Sequence, residues 1–193
     1  MKAMNRVAII AVFAVFLLPV LVATMMHSQW FNWQPGGSRN YGELLQPVVA
    51  LSEFETVDAH GRTVSRSSLL DRWQLLHFQP GHCAESCLEN LYWLRQIRRA
   101  QDRHQPDVGL IHLSRQALSE RDLDAIKGLA EDFLVLSGAP ADVLTAQLPD
   151  GGVNAAYYIV DPLGNIIMRY PEDSDHNGIR RDLRRLLTWT QRD

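Results

Sequence analysis

From Val7 to Met26 the chain reads VAIIAVFAVFLLPVLVATMM, 20 residues without a charge. At 1.5 Å rise per residue such a helix is about 30 Å long, the thickness of a bilayer's hydrocarbon core. This stretch is therefore expected to be a transmembrane anchor. Lys2 and Arg6 precede it and the next charge is Arg39, which places residues 1–6 in the cytoplasm. Trp30, Phe31 and Trp33 follow where an aromatic belt sits at the far interface. A cleaved signal peptide is the rival, but its apolar core runs to only about 7–15 residues. Leu21-Val22-Ala23 is a poor cleavage triplet, and no cysteine follows directly to carry a lipid. Pro19 is tolerated in a membrane span. The expectation is a single uncleaved span over 7–26 in the inner membrane, with everything after it exported to a periplasm or an equivalent space.

Residues 27–46 contain Pro35-Gly36-Gly37-Ser38 and show no periodicity, which suggests a tether. Residues 47–193 then form one domain, long enough for a proper core. With 46% hydrophobic and 21% charged residues the chain has an ordinary globular composition. Its formal net charge of −3 offers no electrostatic footprint for nucleic acid. Two cysteines are too few for a disulfide scaffold or a zinc site made of thiolates alone.

Along the domain, ALSEFETVDAHGRTVS reads as an antiparallel hairpin turning at Ala59-His60-Gly61. Trp73 to Phe78 is a short, mostly apolar run that stops at Pro80-Gly81, as a buried strand does. From Cys83 to about Gln101, Leu88, Leu91, Leu94 and Ile97 recur at intervals of three, one face of a helix. Asp107–Leu113 and Phe133–Leu136 read as two more strands, with a helix between them over Glu120–Glu131 and a short one around Ala141–Gln147. Ala156–Val160 and Asn165–Tyr170 form a closing hairpin turned by Asp161-Pro162-Leu163-Gly164. A last helix carries Ile179, Leu183, Leu186 and Leu187 on one stripe and Arg180, Arg181, Arg184 and Arg185 elsewhere, most simply its solvated face. This order predicts an α/β domain, a mixed sheet with helices on both faces. The thioredoxin fold is the commonest small domain with that order.

Cys83 and Cys87, in C-A-E-S-C, lie where a buried strand gives way to a helix. Side chains four apart on a helix sit about 5–6 Å apart at Cβ, too far for a disulfide, which wants about 3.8 Å. With Cys83 still in the loop before the first turn, the bond can close. A helix N-terminus favours thiolate over thiol, and His82 adds to this when protonated. Glu85 is an ordinary first-turn acid; facing the thiols, it opposes that activation. Thiolate is the nucleophile of disulfide exchange and also the soft ligand that selects Cu(I). The alternatives are a structural bridge and two buried inert thiols, and a bridge across so short a loop stabilises little.

At these residues the sequence resembles the Sco family, membrane-anchored thioredoxin-like proteins involved in cytochrome c oxidase assembly. The specific segment is Leu69–Leu91, LLDRWQLLHFQPGHCAESCLENL, with weaker echoes at FETVDAHG (Phe54–Gly61) and YYIVDPLG (Tyr157–Gly164). The resemblance implies Cys83 and Cys87 as redox thiols or Cu(I) ligands, and a respiratory oxidase subunit or assembly factor as partner. The family's third copper ligand is a histidine a few residues before the tyrosine-rich strand. Here that stretch reads Asp150-Gly151-Gly152-Val153-Asn154-Ala155, with neither that histidine nor the proline of true thioredoxins. His176, after the last strand and on the sheet edge that carries the CxxxC loop, is the candidate third ligand, against the plainer reading of a loop histidine. His77 and His112 lie in apolar strands and read as core residues; His27, His60 and His104 receive no role. Two other functions stay open: a general thiol–disulfide oxidoreductase or peroxidase-like relative without copper, and a thioredoxin-like scaffold whose disulfide is only structural.

Overall fold

The computed structural model describes residues 11–21, 24 and 40–189. The chain divides into two compact units, Met1–Ser38 and Arg39–Asp193. In the first, residues 11–21 are helical and exposed, and the Thr24 hydroxyl donates to the Val20 carbonyl at 2.9 Å. Among the described residues no helix is long and apolar enough to cross a membrane. The expectations for residues 1–6, for the rest of the 7–26 anchor and for the Trp30/Phe31/Trp33 belt lie outside the described residues.

The second unit is the expected α/β fold. Its strands are β1 (Glu43–Ala50), β2 (Glu55–Val57), β3 (Thr63–Ser65), β4 (Trp73–Gln79), β5 (Val108–Ser114), β6 (Leu134–Ser137), β7 (Ala156–Val160) and β8 (Asn165–Pro171). Its helices are α1 (Glu85–Arg99), α2 (Glu120–Leu129), α3 (Ala139–Thr145) and α4 (His176–Trp189). Six strands form one sheet in the order β1-β8-β7-β4-β5-β6, and β2-β3 is a separate hairpin. β4, β5 and β6 run parallel; β7, β8 and β1 are antiparallel to their neighbours.

The pattern of each strand follows its place in the sheet. Central β4 and β5 are covered on both faces, so WQLLHFQ and VGLIHLS read as near-continuous apolar runs. β8, nearer the edge, alternates Ile166, Met168 and Tyr170 inward with half-buried residues between. Helices α1, α2 and α4 cover one face through Leu91, Leu94, Ile126, Ile179 and Leu183. The β2-β3 hairpin and α3 cover the other through Phe54, Val64, Ala141 and Leu144.

The structure differs from the sequence reading at the domain's start. β1 begins at Glu43, inside the stretch read as a tether, and pairs with β8. Its burial pattern, mostly exposed, carries no alternation that would betray an edge strand. It is held from elsewhere: the buried Asp182 carboxylate accepts the Tyr41 and Gly42 backbone N–H groups at 2.7 and 3.1 Å and the Tyr170 hydroxyl at 3.1 Å. Gly42 is required there, since a Cβ would sit 2.3 Å from the Tyr170 ring. Two of the arginines expected on a solvated face join in, Arg181 bonding the Tyr41 hydroxyl and Arg185 the Asn40 side chain. Arg184 stays exposed.

Candidate functional site: a disulfide over a buried histidine pair

β4 delivers the chain through Pro80-Gly81-His82 to Cys83, and α1 starts two residues later. Its N-cap is Ala84, extended at φ −80° and ψ −172°, so Cys83 lies outside the helix and Cys87 inside its first turn. That placement brings the Cα atoms to 5.1 Å, and the two cysteines are joined as a disulfide of 2.03 Å. Ala84 has no side-chain oxygen to engage the first-turn N–H groups, and the helix's positive end faces the sulfurs. Both cysteines are buried, Cys83 at 3% and Cys87 at 0% exposure, while His82 and Glu85 point to solvent.

Beneath the sulfurs runs one rung of the sheet. Strand register sets Tyr170 beside Tyr157, Tyr157 beside His77, His77 beside His112 and His112 beside Val135. His77 and His112 are fully buried, and their Nδ1 atoms approach to 3.2 Å. His112 Nε2 lies 4.0 Å from Cys87 Sγ, whereas His77 Nε2 is buried with no partner among the described residues. Burial holds both imidazoles below their ordinary pKa: His77 lies far below, lowered further by His112, and His112 lies at about 4, its drop offset in part by a hydrogen bond to the His77 backbone. Both are neutral at physiological pH.

The rung continues outward. The His77 ring is 5.1 Å from that of Tyr157, whose hydroxyl lies 3.2 Å from His176 Nε2. His176 stacks on Trp93 of α1 at 5.1 Å. Burial pushes the Tyr157 phenol up and the His176 imidazole down, the latter offset in part by Asp175 and Glu89.

Of the residues singled out from sequence, Cys83 and Cys87 are thus brought together. His176 opens α4, and its partners are the Tyr157 hydroxyl and the Trp93 ring. Among the described residues the ligand atoms that all lie within 4.8 Å of one another are those of His77, Cys87 and His112, a soft sulfur and two imidazoles of the kind that suits Cu(I) once the disulfide is open. Sequence reasoning left His77 and His112 as core residues. The signal that would have found them is their matching place, fifth in WQLLHFQ and fifth in VGLIHLS, in two strands that the structure pairs as buried neighbours. The stretch that lacks the expected histidine is a turn, with Gly151 and Gly152 at φ +63° and +66°. Asp150 anchors it, accepting from the Tyr158 hydroxyl and Arg169. A Cβ on Gly152 would meet Thr145 at 2.4 Å.

Residues 73–190 match the family model described as a transmembrane-like, thioredoxin-like C-terminal domain. No curated protein matches the chain. Apo Sco1 from Thermus thermophilus superposes with a TM-score of 0.61 at 22% identity, over 78% of this chain and 99% of that one. Yeast Sco1 with copper bound gives 0.59 at 14% identity, over 72% and 93%. The thioredoxin domain of a thiol-disulfide oxidoreductase from Bacteroides vulgatus gives 0.54 at 16%, over 71% and 94%. The fold is therefore a Sco-like thioredoxin fold.

Proposed function

This chain belongs to the family of transmembrane-like, thioredoxin-like C-terminal domains, and from that premise we propose that it is a membrane-anchored thiol–disulfide exchange protein assisting the assembly of a respiratory oxidase. The observation that carries this reading is the Cys83–Cys87 disulfide at the uncapped start of α1. A bridge over so short a loop adds little stability, while its position lowers the cost of forming a thiolate.

In the reduced protein, the Cys83 thiolate attacks one sulfur of a partner disulfide. That S–S bond breaks, its electron pair leaves on the partner's second sulfur, and a mixed disulfide forms. The Cys87 thiolate then attacks Cys83 Sγ, closing the Cys83–Cys87 bond and releasing the partner's first sulfur as thiolate. The partner gains two electrons and this protein loses two; protons reach the released sulfurs from solvent. The anchor over 7–26 keeps the domain at the outer face of the inner membrane, beside an oxidase subunit or an assembly factor.

A second reading, Cu(I) as cargo, is favoured by one observation, the imidazole of His112 at 4.0 Å from Cys87 Sγ. Two thiolates from Cys83 and Cys87 would bind the ion, with His112, or His176 as the sequence suggested, as third donor. The test uses the full-length protein in detergent. Reduced protein is expected to turn over a model disulfide, and Cys83→Ser to abolish this. Tight uptake of about one Cu(I) equivalent without turnover would favour the cargo reading. A bond that stays closed at potentials below about −300 mV would leave only a structural role.

A further inference from the structure

We propose that His112 is a catalytic residue of this exchange: its Nε2–H, held in place by His77, hydrogen-bonds Cys87 Sγ and makes Cys87 the sulfur that leaves and Cys83 the sulfur that partners attack. The proposal rests on the thiol–disulfide reading above and assigns roles to two residues within it.

Counting hydrogen bonds selects the tautomer. The two neutral imidazoles face each other through Nδ1 at 3.2 Å, so one Nδ1 carries a hydrogen and the other accepts it. If His112 donated, its Nε2 would present a lone pair to a disulfide sulfur that has no hydrogen to give, and His77 Nε2–H would be a buried donor with no acceptor. Two polar atoms would then be unsatisfied. If His77 donates, His112 carries its hydrogen on Nε2, aimed at Cys87, and the one atom left over is the bare His77 Nε2. The second arrangement leaves fewer buried polar atoms unpaired and is the cheaper one.

This breaks the symmetry of the disulfide. A neutral disulfide sulfur is a weak acceptor, in keeping with the long 4.0 Å contact. When a partner thiolate attacks Cys83 Sγ, the S–S electron pair goes to Cys87 Sγ, where negative charge appears with water excluded. An N–H already pointing there becomes a charge-assisted bond, worth far more in the product and in the transition state than in the disulfide. Attack on Cys87 would instead release charge on Cys83, for which the described residues show no such donor. His77 touches neither sulfur; it is a positioning residue that keeps hydrogen off His112 Nδ1.

The test follows reduction of the bridge by a small dithiol in full-length protein. His112→Phe is expected to slow reduction about ten- to a hundredfold, the range for losing a hydrogen bond to a charged group. His112→Gln, which returns an amide donor, is expected to recover part of the loss. Reduction of His112→Phe at the wild-type rate would overturn the proposal. Because a buried substitution can unfold the domain, the second measurement needs no variant. Histidine 15N NMR of the oxidised protein is expected to show hydrogen on His112 Nε2 and His77 Nδ1; hydrogen on His112 Nδ1 overturns it. Failure of the wild-type protein to exchange with any model disulfide would instead sink the functional reading, whatever tautomer is found.

Discussion

Two neighbouring rungs of the sheet, one residue apart on each strand, point to opposite faces. Beneath α1 the rung is Tyr157-His77-His112-Val135; on the other face it is Ala156-Phe78-Leu113-Leu136. All eight residues are buried, so burial does not separate them. Their chemistry does. The Phe78 rung is wholly apolar and packs into the core, whose close packing makes any lost volume felt. The His77 rung gives up apolar contact for imidazole nitrogens, one of them unpaired, a cost tolerated where the disulfide sits. One rung is all apolar core and the other places an imidazole against a sulfur.

Several substitutions can break or sharpen that contrast. The largest effect belongs to the disulfide: Cys83→Ser is expected to reduce release of thiol from a model disulfide to background, and Cys87→Ser to stop it after one equivalent, at the mixed disulfide. Next, Phe78→Ala on the apolar rung is expected to cost about 3–5 kcal/mol in denaturant unfolding and to leave the rate of dithiol reduction unchanged. A slowed reduction there would erase the division of labour. The paired substitution His77→Leu with His112→Leu should do the reverse, changing stability by less than about 1.5 kcal/mol because both partners become apolar together, while slowing reduction.

Acid should single out the polar rung as well. Both histidines are neutral when folded, with pKa values depressed by burial, and both regain an ordinary value near 6.5 when unfolded. Between pH 6.5 and about 4 the unfolded chain therefore binds more protons than the folded one. Stability of the disulfide form is expected to fall as pH drops through that window, by roughly 1.4 kcal/mol per pH unit for each histidine, and to level off above it. Phe78→Ala should keep this slope and the double leucine variant lose most of it, the remainder belonging to His176, read from unfolding midpoints across the range. The smallest effect concerns the helix starts on the disulfide's face. α2 is capped by Ser119, which accepts the Asp122 N–H, whereas α1 begins at uncapped Ala84. Ser119→Ala is expected to cost about 1 kcal/mol without altering reduction, since the Ser119 hydroxyl bonds Asp122 and not a sulfur.

Much of this was legible in one dimension. Continuous apolar runs marked β4 and β5, spacing by three marked α1, and Asp161-Pro162-Leu163-Gly164 marked the β7-β8 turn. These are local signals, set by backbone and side-chain periodicity within a few residues. β1 was hidden because its order comes from Asp182, some 140 positions away along the chain. The histidines were visible but not interpretable, since a buried imidazole in a strand has no meaning until its neighbour across the ladder is known.

By itself, then, the sequence determined the α/β order, the long apolar run near its start, and the place of Cys83 and Cys87 where a strand gives way to a helix. Each follows from residues close together in the chain. Only the tertiary structure decided which groups surround the sulfurs. Parallel pairing of β4 with β5 in one register sets His77 against His112 and lays both under Cys87. A slip of one residue would turn either histidine to the opposite face, and that choice is made by packing across the whole sheet.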